Sequence, residues 1–136
     1  MLFVISGNTQ IVKYLSVPGY NELSKIDTNS YSVLPSGRYV QPAGQSLRIT
    51  HDPFGLAIST DQKVAITMHE NAITIIDLQN MQQKRIPDYL KPKENPLKKG
   101  SFLGVAFHAK KNIAYLSGGD EGSVIVYDYV QFKKVD

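Results

Sequence analysis

The feature that most constrains the fold is a sequence repeat, in which two similar segments lie about 50 residues apart. DPFGLAISTDQKVAITMHENAITIIDL, residues 52–78, can be laid over SFLGVAFHAKKNIAYLSGGDEGSVIVYDY, residues 101–129. Gly55 then corresponds to Gly104, 49 positions later. Self-similarity at a period of this length is typical of architectures that stack one structural unit on the next. The sequence therefore predicts a repeat protein.

Each copy consists of short runs in which apolar and polar residues alternate, separated by polar turns. This period of two predicts strands, and MQQKRIP after the first copy predicts a fourth, outer strand. Asp77 and Asp128 end the third strand of each copy, where a carboxylate can accept hydrogen bonds from turn amides. Their offset is 51, because the later copy has longer turns. We predict an all-β chain, a partial β-propeller with about two four-stranded antiparallel blades and an N-terminal hairpin.

The glycine of each copy is assigned to an innermost strand. Gly55 and Gly104 would lie near a central channel, where neighbouring blades crowd the backbone. The final blade is expected to expose an apolar face that a further copy would cover. The core between the blades is predicted to contain Phe54, Leu56, Ile58, Ile66, Ile73, Ile75, Leu103, Val105, Phe107, Leu116, Val124 and Val126.

Turn signals and the repeat divide the chain into five segments. Residues 1–30 form an N-terminal segment whose opening MLFVIS is either a first strand or the remnant of an export signal. Residues 31–50 are punctuated by two Pro-x-Gly turns and predict the hairpin. The first blade is assigned to 51–90, a Pro- and Lys-rich connection to 91–100, and an incomplete second blade to 101–136.

Composition excludes several classes of function. The 136 residues include no cysteine, which excludes disulfides, a thiolate nucleophile and Cys-ligated zinc. The net charge of +3 is concentrated in residues 84–99, which we interpret as a solvated connection. Tyr89 is the only aromatic residue in that run, whereas a nucleic-acid site would interleave several aromatic residues with the basic ones. No nucleic-acid partner is therefore expected. No run of 18 apolar residues occurs, so no membrane span is expected.

Several phrases resemble a known family. LPSGRYVQPAG, DPFGLAIS with DQKVAIT, and FLGVAFHAKKNIAYLSGGDEGSVIVYD are similar to the YVTN-type, YncE-like seven-bladed β-propellers. The resemblance covers roughly residues 33–128 and is greatest to a bacterial subgroup in which the propeller precedes an alkaline-phosphatase-superfamily phosphoesterase domain. The family's SPDG turn is replaced at 59–62 and 108–111, and the asparagine of its YVTN phrase by Met68 and Gly118.

The resemblance implies a function and a location. A closed propeller needs at least about 160 residues, so this chain is expected to be the N-terminal part of a longer protein. It would be a binding or scaffold module whose partner is another protein or its own missing domains, namely further blades and a phosphoesterase domain. The alternative is part of an enzymatic propeller, such as a lactonase-like hydrolase. A periplasmic or extracellular location in a bacterium is implied, and no cofactor is predicted.

The sequence contains few residues that could act as catalytic groups or metal ligands. His69 and Glu70 fall in the turn equivalent to that of Asp120 and Glu121, so the four could hold a cation on one rim, or could be solvated turn residues. His108 is interpreted as a hydrogen-bonded turn histidine. Nothing resembles a nucleophile elbow or a phosphate-binding loop. We therefore predict no catalytic residue, and whether the full protein is an enzyme stays open.

Overall fold

The computed structural model describes residues 15–70, 72–91, 95–97 and 103–135. These residues belong to two compact units, which divide between Leu47 and Arg48. The MLFVIS segment lies outside the described residues, so the choice between a first strand and an export remnant is not addressed by the structure.

The first unit contains the predicted hairpin. Strands β1 (Ser32–Val33) and β2 (Tyr39–Val40) pair antiparallel, and a single bridge joins Lys25 to Val33. The connection between the strands contains Gly37 at φ +73°, a left-handed conformation that glycine adopts without steric cost. The hairpin is therefore present, within narrower bounds than 31–50.

The first repeat forms a four-stranded antiparallel meander, which we call blade 1. Its strands are β3 (Gly55–Ile58), β4 (Val64–His69), β5 (Ala72–Asp77) and β6 (Gln82–Ile86), adjacent in chain order. The two central strands are rich in Ile, Val and Thr, and all of their residues except Val64 and Asp77 are buried. The predicted outer strand is confirmed as β6.

The second repeat forms the same meander, blade 2. Its strands are β7 (Val105–Phe107), β8 (Ile113–Ser117), β9 (Val124–Asp128) and β10 (Lys133–Lys134). The second blade, expected to be incomplete, has all four strands, although β10 is only two residues long. Among the described residues, helical structure is limited to the 3-10 turn Gly119–Glu121 between β8 and β9. The all-β prediction with two four-stranded blades and a hairpin is confirmed.

Alternation gives each blade two faces. Directly opposite residues of antiparallel strands share a face, so the register assigns every residue. In blade 1 the front face carries Ala57, Val64, Ile66, Met68, Ile73 and Ile75, and the back face carries Leu56, Ala65, Thr67, His69, Thr74 and Ile76. In blade 2 the front face carries Ala106, Ile113, Tyr115, Val124 and Val126, and the back face carries Val105, Phe107, Ala114, Leu116, Ile125 and Tyr127.

The core lies between the front face of blade 1 and the back face of blade 2. Its buried members are Ile66, Met68, Ile73, Ile75, Ile86, Leu97, Ala114, Leu116, Ile125 and Tyr127. Ile86 and Leu97 both lie in residues 84–99, the run interpreted as a solvated connection, so the described part of that run contributes two core side chains. Burial of these side chains, at about 25 cal/mol per Å² of apolar area removed from water, is what holds the blades together.

The predicted core list is only half right. Ile66, Ile73, Ile75 and Leu116 are buried, and Val105, Phe107 and Val126 are partly buried, whereas Phe54, Leu56, Ile58, Leu103 and Val124 are more than half exposed. Leu56 and Ile58 pair with Thr67 and Ala65, which places them on the back face rather than in the core. On its front face β3 carries only the small residues Gly55 and Ala57, because the backbone of blade 2 passes too close to this face for a larger side chain at Gly55.

No helix in the described part of the chain combines the length and apolar character needed to cross a membrane.

Candidate functional site

His69 is the last residue of β4 and is 3% exposed, so the interpretation as a solvated turn residue is wrong for this side chain. Its Nδ1 lies 2.8 Å from the backbone oxygen of His51, and its Nε2 lies 3.0 Å from both Thr67 Oγ1 and Thr74 Oγ1. A carbonyl oxygen only accepts, so Nδ1 donates. With the proton on Nδ1, Nε2 has one lone pair, which accepts a hydrogen bond from one of the two threonine hydroxyls at a time. Both nitrogens are used, and His69 anchors the segment before β3 to the back face of blade 1.

The other three candidate cation ligands are exposed. Glu70 follows β4, and Asp120 and Glu121 lie in the 3-10 turn of blade 2. Among the residues that the structure describes, no group of three or more His, Asp or Glu side chains is arranged to hold a metal ion. The candidate cation site therefore gains no support from the geometry.

The aspartates have the predicted structural role in both blades. Asp77 Oδ1 accepts hydrogen bonds from the backbone N–H of Gln79 at 2.8 Å and of Asn80 at 3.4 Å. Asp128 Oδ1 accepts from the backbone N–H groups two and three residues further on, at 3.0 and 2.8 Å. Each carboxylate therefore organises the turn that leads into the outermost strand.

The glycines differ in what surrounds them. A Cβ at Gly55 would lie 2.2 Å from the backbone oxygen of Leu103 in blade 2, so the inner strands are in direct backbone contact. A Cβ at Gly104 would meet only its own blade, with Ser117 Cβ nearest at 3.0 Å. The predicted crowding by a neighbouring blade is therefore present at Gly55 and has no counterpart among the described neighbours of Gly104.

Matching hydrogen bonds fix the correspondence between the blades. Ser59 N–H donates to Val64 O at 2.8 Å, and His108 N–H donates to Ile113 O at 2.9 Å, an offset of 49. At this offset His69 corresponds to Gly118, so the sequence-based pairing of Met68 with Gly118 is one residue out of register. The two extra residues of blade 2 lie in the β8–β9 connection.

The first turns of the two blades form a polar recess of about 170 Å³. His108 Nδ1 accepts from the backbone N–H of Lys110 at 3.0 Å and of Lys111 at 3.2 Å, which supports its interpretation as a turn histidine. In blade 1 the Ser59 hydroxyl donates to Asp61 Oδ1 at 2.7 Å, and this bond lowers the pKa of Asp61 below its ordinary value. These groups stabilise turns and are not arranged as a nucleophile with its base.

The front face of blade 2 is apolar and open. Val124 is 66% exposed and Tyr115 37%, whereas their blade 1 equivalents, Ile73 and Ile66, are fully buried against blade 2. Ala106 on β7 is also exposed, and Ile113 and Val126 are partly buried. Equivalent positions thus carry equivalent apolar residues, but only one of the two front faces is covered.

Sequence reasoning missed two features that depend on tertiary packing. One is the pair of buried threonines that hold His69, although two polar residues in otherwise apolar runs were a visible signal. The other is a cavity of about 330 Å³ between the outer parts of the blades, lined in part by Lys84 and Phe132. These two residues are 48 positions apart, and no pattern in the sequence joins them.

Comparison with known proteins identifies no family model, no curated protein and no solved structure that matches this chain.

Proposed function

We propose that this chain is a β-propeller binding or scaffold module in which the front face of blade 2 takes the back face of a further blade. The observation that carries the proposal is the front-to-back contact already present between the two blades. Equivalent faces of a repeat take equivalent neighbours, so the uncovered front face has a defined complement. A contact of this head-to-tail kind can be repeated from one unit to the next, and it gives a ring when its rotation closes.

The glycine on the inner strand supports the same occupant. Gly55 faces the backbone of Leu103, just before β7, and glycine is needed there because any side chain would overlap that backbone. Gly104 occupies the same position on the open face, where the three atoms nearest to an added Cβ all belong to Ser117 of the same blade. A further blade whose backbone passes Gly104 would use this glycine in the same way as blade 2 uses Gly55.

A second copy of this chain is a poor occupant for a front-to-back contact. The surface that it would offer is the back face of blade 1, where Ala65, Thr74 and Ile76 are already buried, at 3, 0 and 8% exposure. The proposed partner is therefore a further blade. Following the resemblance to YncE-like propellers, we infer that it belongs to the remainder of a longer protein in which a phosphoesterase domain accompanies the propeller.

The absence of cysteine makes a direct test possible. Val124→Cys places a single thiol on the open face, and Leu90→Cys places a control thiol in a loop where the native side chain is 91% exposed. Each thiol is labelled in the present chain and in a chain extended by a second copy of residues 87–135. We expect labelling at position 124 to slow by about tenfold or more in the extended chain, and labelling at position 90 to be unchanged.

The outcome is interpreted together with circular dichroism. If the extended chain gains the β signal of a third blade but position 124 still reacts at its original rate, the front face does not take a further blade and the proposal fails.

A further inference from the structure

A second feature, separate from the open front face, is the cavity between the outer parts of the two blades. Its volume of about 330 Å³ is within the range of small-molecule sites in proteins. It lies where β6 of blade 1 faces the turn between β9 and β10 of blade 2. Both walls belong to the second unit, so the shape of the cavity depends on the packing that forms the core.

The walls are mainly apolar and aromatic. Val64 and Ile75 come from the front face of blade 1, and Tyr129 and Phe132 come from the last turn of blade 2. Tyr129 is held by an edge contact with Phe107, with ring centroids 5.1 Å apart at an interplanar angle of 76°. These rings offer flat surfaces to a planar ligand, because offset and edge contacts between aromatic rings are favourable.

One cation is available at this cavity. Lys84 Nζ lies 3.4 Å from the centroid of the Phe132 ring, so the ammonium group is held at the wall by a cation–π contact. Asp77 also lines the cavity, and its Oδ1 accepts hydrogen bonds from the backbone N–H groups of Gln79 and Asn80, which orient this carboxylate without neutralising it. Within the described ranges no carboxylate lies in ion-pairing distance of Lys84. An ammonium group without an anionic partner favours an anionic ligand.

We propose that this cavity binds a small aromatic carboxylate. The ring system would lie against Ile75, Tyr129 and the part of the Phe132 ring that the Lys84 ammonium group leaves uncovered, and the carboxylate would pair with Lys84. Burial of the aromatic face provides most of the affinity, and the charge-assisted hydrogen bond to the ammonium selects the acid over neutral analogues. The site is independent of the partner proposed for the open face.

The test uses 2-naphthoate and its neutral analogue 2-naphthalenemethanol in a fluorescence titration at low salt. We expect saturable binding of 2-naphthoate below about 1 mM. Lys84→Met should weaken the binding of the acid about tenfold and change that of the alcohol by less than about twofold, because only the acid pairs with the ammonium group.

A second variant, at Phe132, removes an aromatic wall of the cavity without opposing the backbone conformation of its turn. The φ of Phe132 is +57°, and Met81 has φ +56° at the same turn position of blade 1 but does not line the cavity. Phe132→Gly removes the ring while giving the turn the residue that suits a left-handed conformation, and Met81→Gly is the matched control. We expect Phe132→Gly to lose binding of both ligands and Met81→Gly to keep both. Absence of saturable binding, equal affinity of Lys84→Met for the acid, or unchanged binding by Phe132→Gly would each overturn the proposal.

Discussion

The contact between the inner strands can be tested with a single methyl group. In Gly55→Ala the new Cβ would lie 2.2 Å from the backbone oxygen of Leu103 and 2.9 Å from its carbonyl carbon. Ordinary van der Waals contact begins at 3.4 Å, so one strand must move by about 1 Å. The atoms that clash with the new Cβ belong to the backbone of Leu103, just before β7, so no side-chain rotation can relieve the overlap.

The magnitude follows from the position of the contact. Overpacking a well-packed interface costs about 1–3 kcal/mol, and a clash between two backbones belongs at the upper end. Gly55 does not have a positive φ, so alanine restricts the unfolded chain and returns about 0.4–1 kcal/mol. The net loss should be about 2 kcal/mol. With a urea slope of about 1 kcal/mol per M, the unfolding midpoint should fall by roughly 2 M.

Gly104→Ala is the matched control for this prediction. Its Cβ would meet only Ser117 Cβ at 3.0 Å, a contact that a small shift within blade 2 relieves. We expect its midpoint in urea, followed by far-ultraviolet circular dichroism, to stay within about 0.5 M of the parent chain. Equal midpoints for Gly55→Ala and the parent would refute the argument that the inner strands are in backbone contact. Equal losses in both variants would show that the cost is intrinsic to the strand position.

Three further predictions concern polar groups. His69→Ala should destabilise the chain by about 2–4 kcal/mol in urea unfolding, because it leaves the hydroxyls of Thr67 and Thr74 buried without their shared acceptor. The control His108→Ser keeps a hydrogen-bond acceptor in its turn and should cost less than about 1 kcal/mol in the same assay. The hydrogen bond from the Tyr39 hydroxyl to Glu22, with smaller contributions from desolvation and charge, raises the pKa of Tyr39 to about 12. Glu22→Gln should lower this pKa, measured by titrating the absorbance at 295 nm, and an unchanged or higher pKa would contradict this cause. Burial raises the pKa of Tyr129 above its ordinary value, because the folded state favours the neutral phenol. The stability gained from keeping this phenol neutral is complete below about pH 10 and is lost as the pH rises through the folded-state pKa. The decrease in urea midpoint from pH 9 to 11 should therefore be smaller in Tyr129→Phe than in the parent, and an equal decrease would show that Tyr129 does not contribute.

Local patterns in the sequence were sufficient for the secondary structure and its repetition. The alternation within each copy, the polar turns and the aspartates at 77 and 128 depend on interactions between residues that are close along the chain, and these interactions are the same wherever the blade packs. The strands, their order and the role of both aspartates were therefore predictable.

Tertiary packing alone decided which side chains of the inner strands are buried and which front face is covered. Alternation shows that Leu56 and Ile58 share a face with each other, but not that the close approach of Gly55 to Leu103 turns that face away from the core. Val124 and Ile73 occupy equivalent positions with equivalent alternation, and they differ in burial because only one has a blade in front of it. The hydrogen bonds of His69 and the cavity beside Lys84 likewise join residues from separate strands or blades. Burial and binding depend on which surfaces meet in space, and that information is absent from any single stretch of the chain.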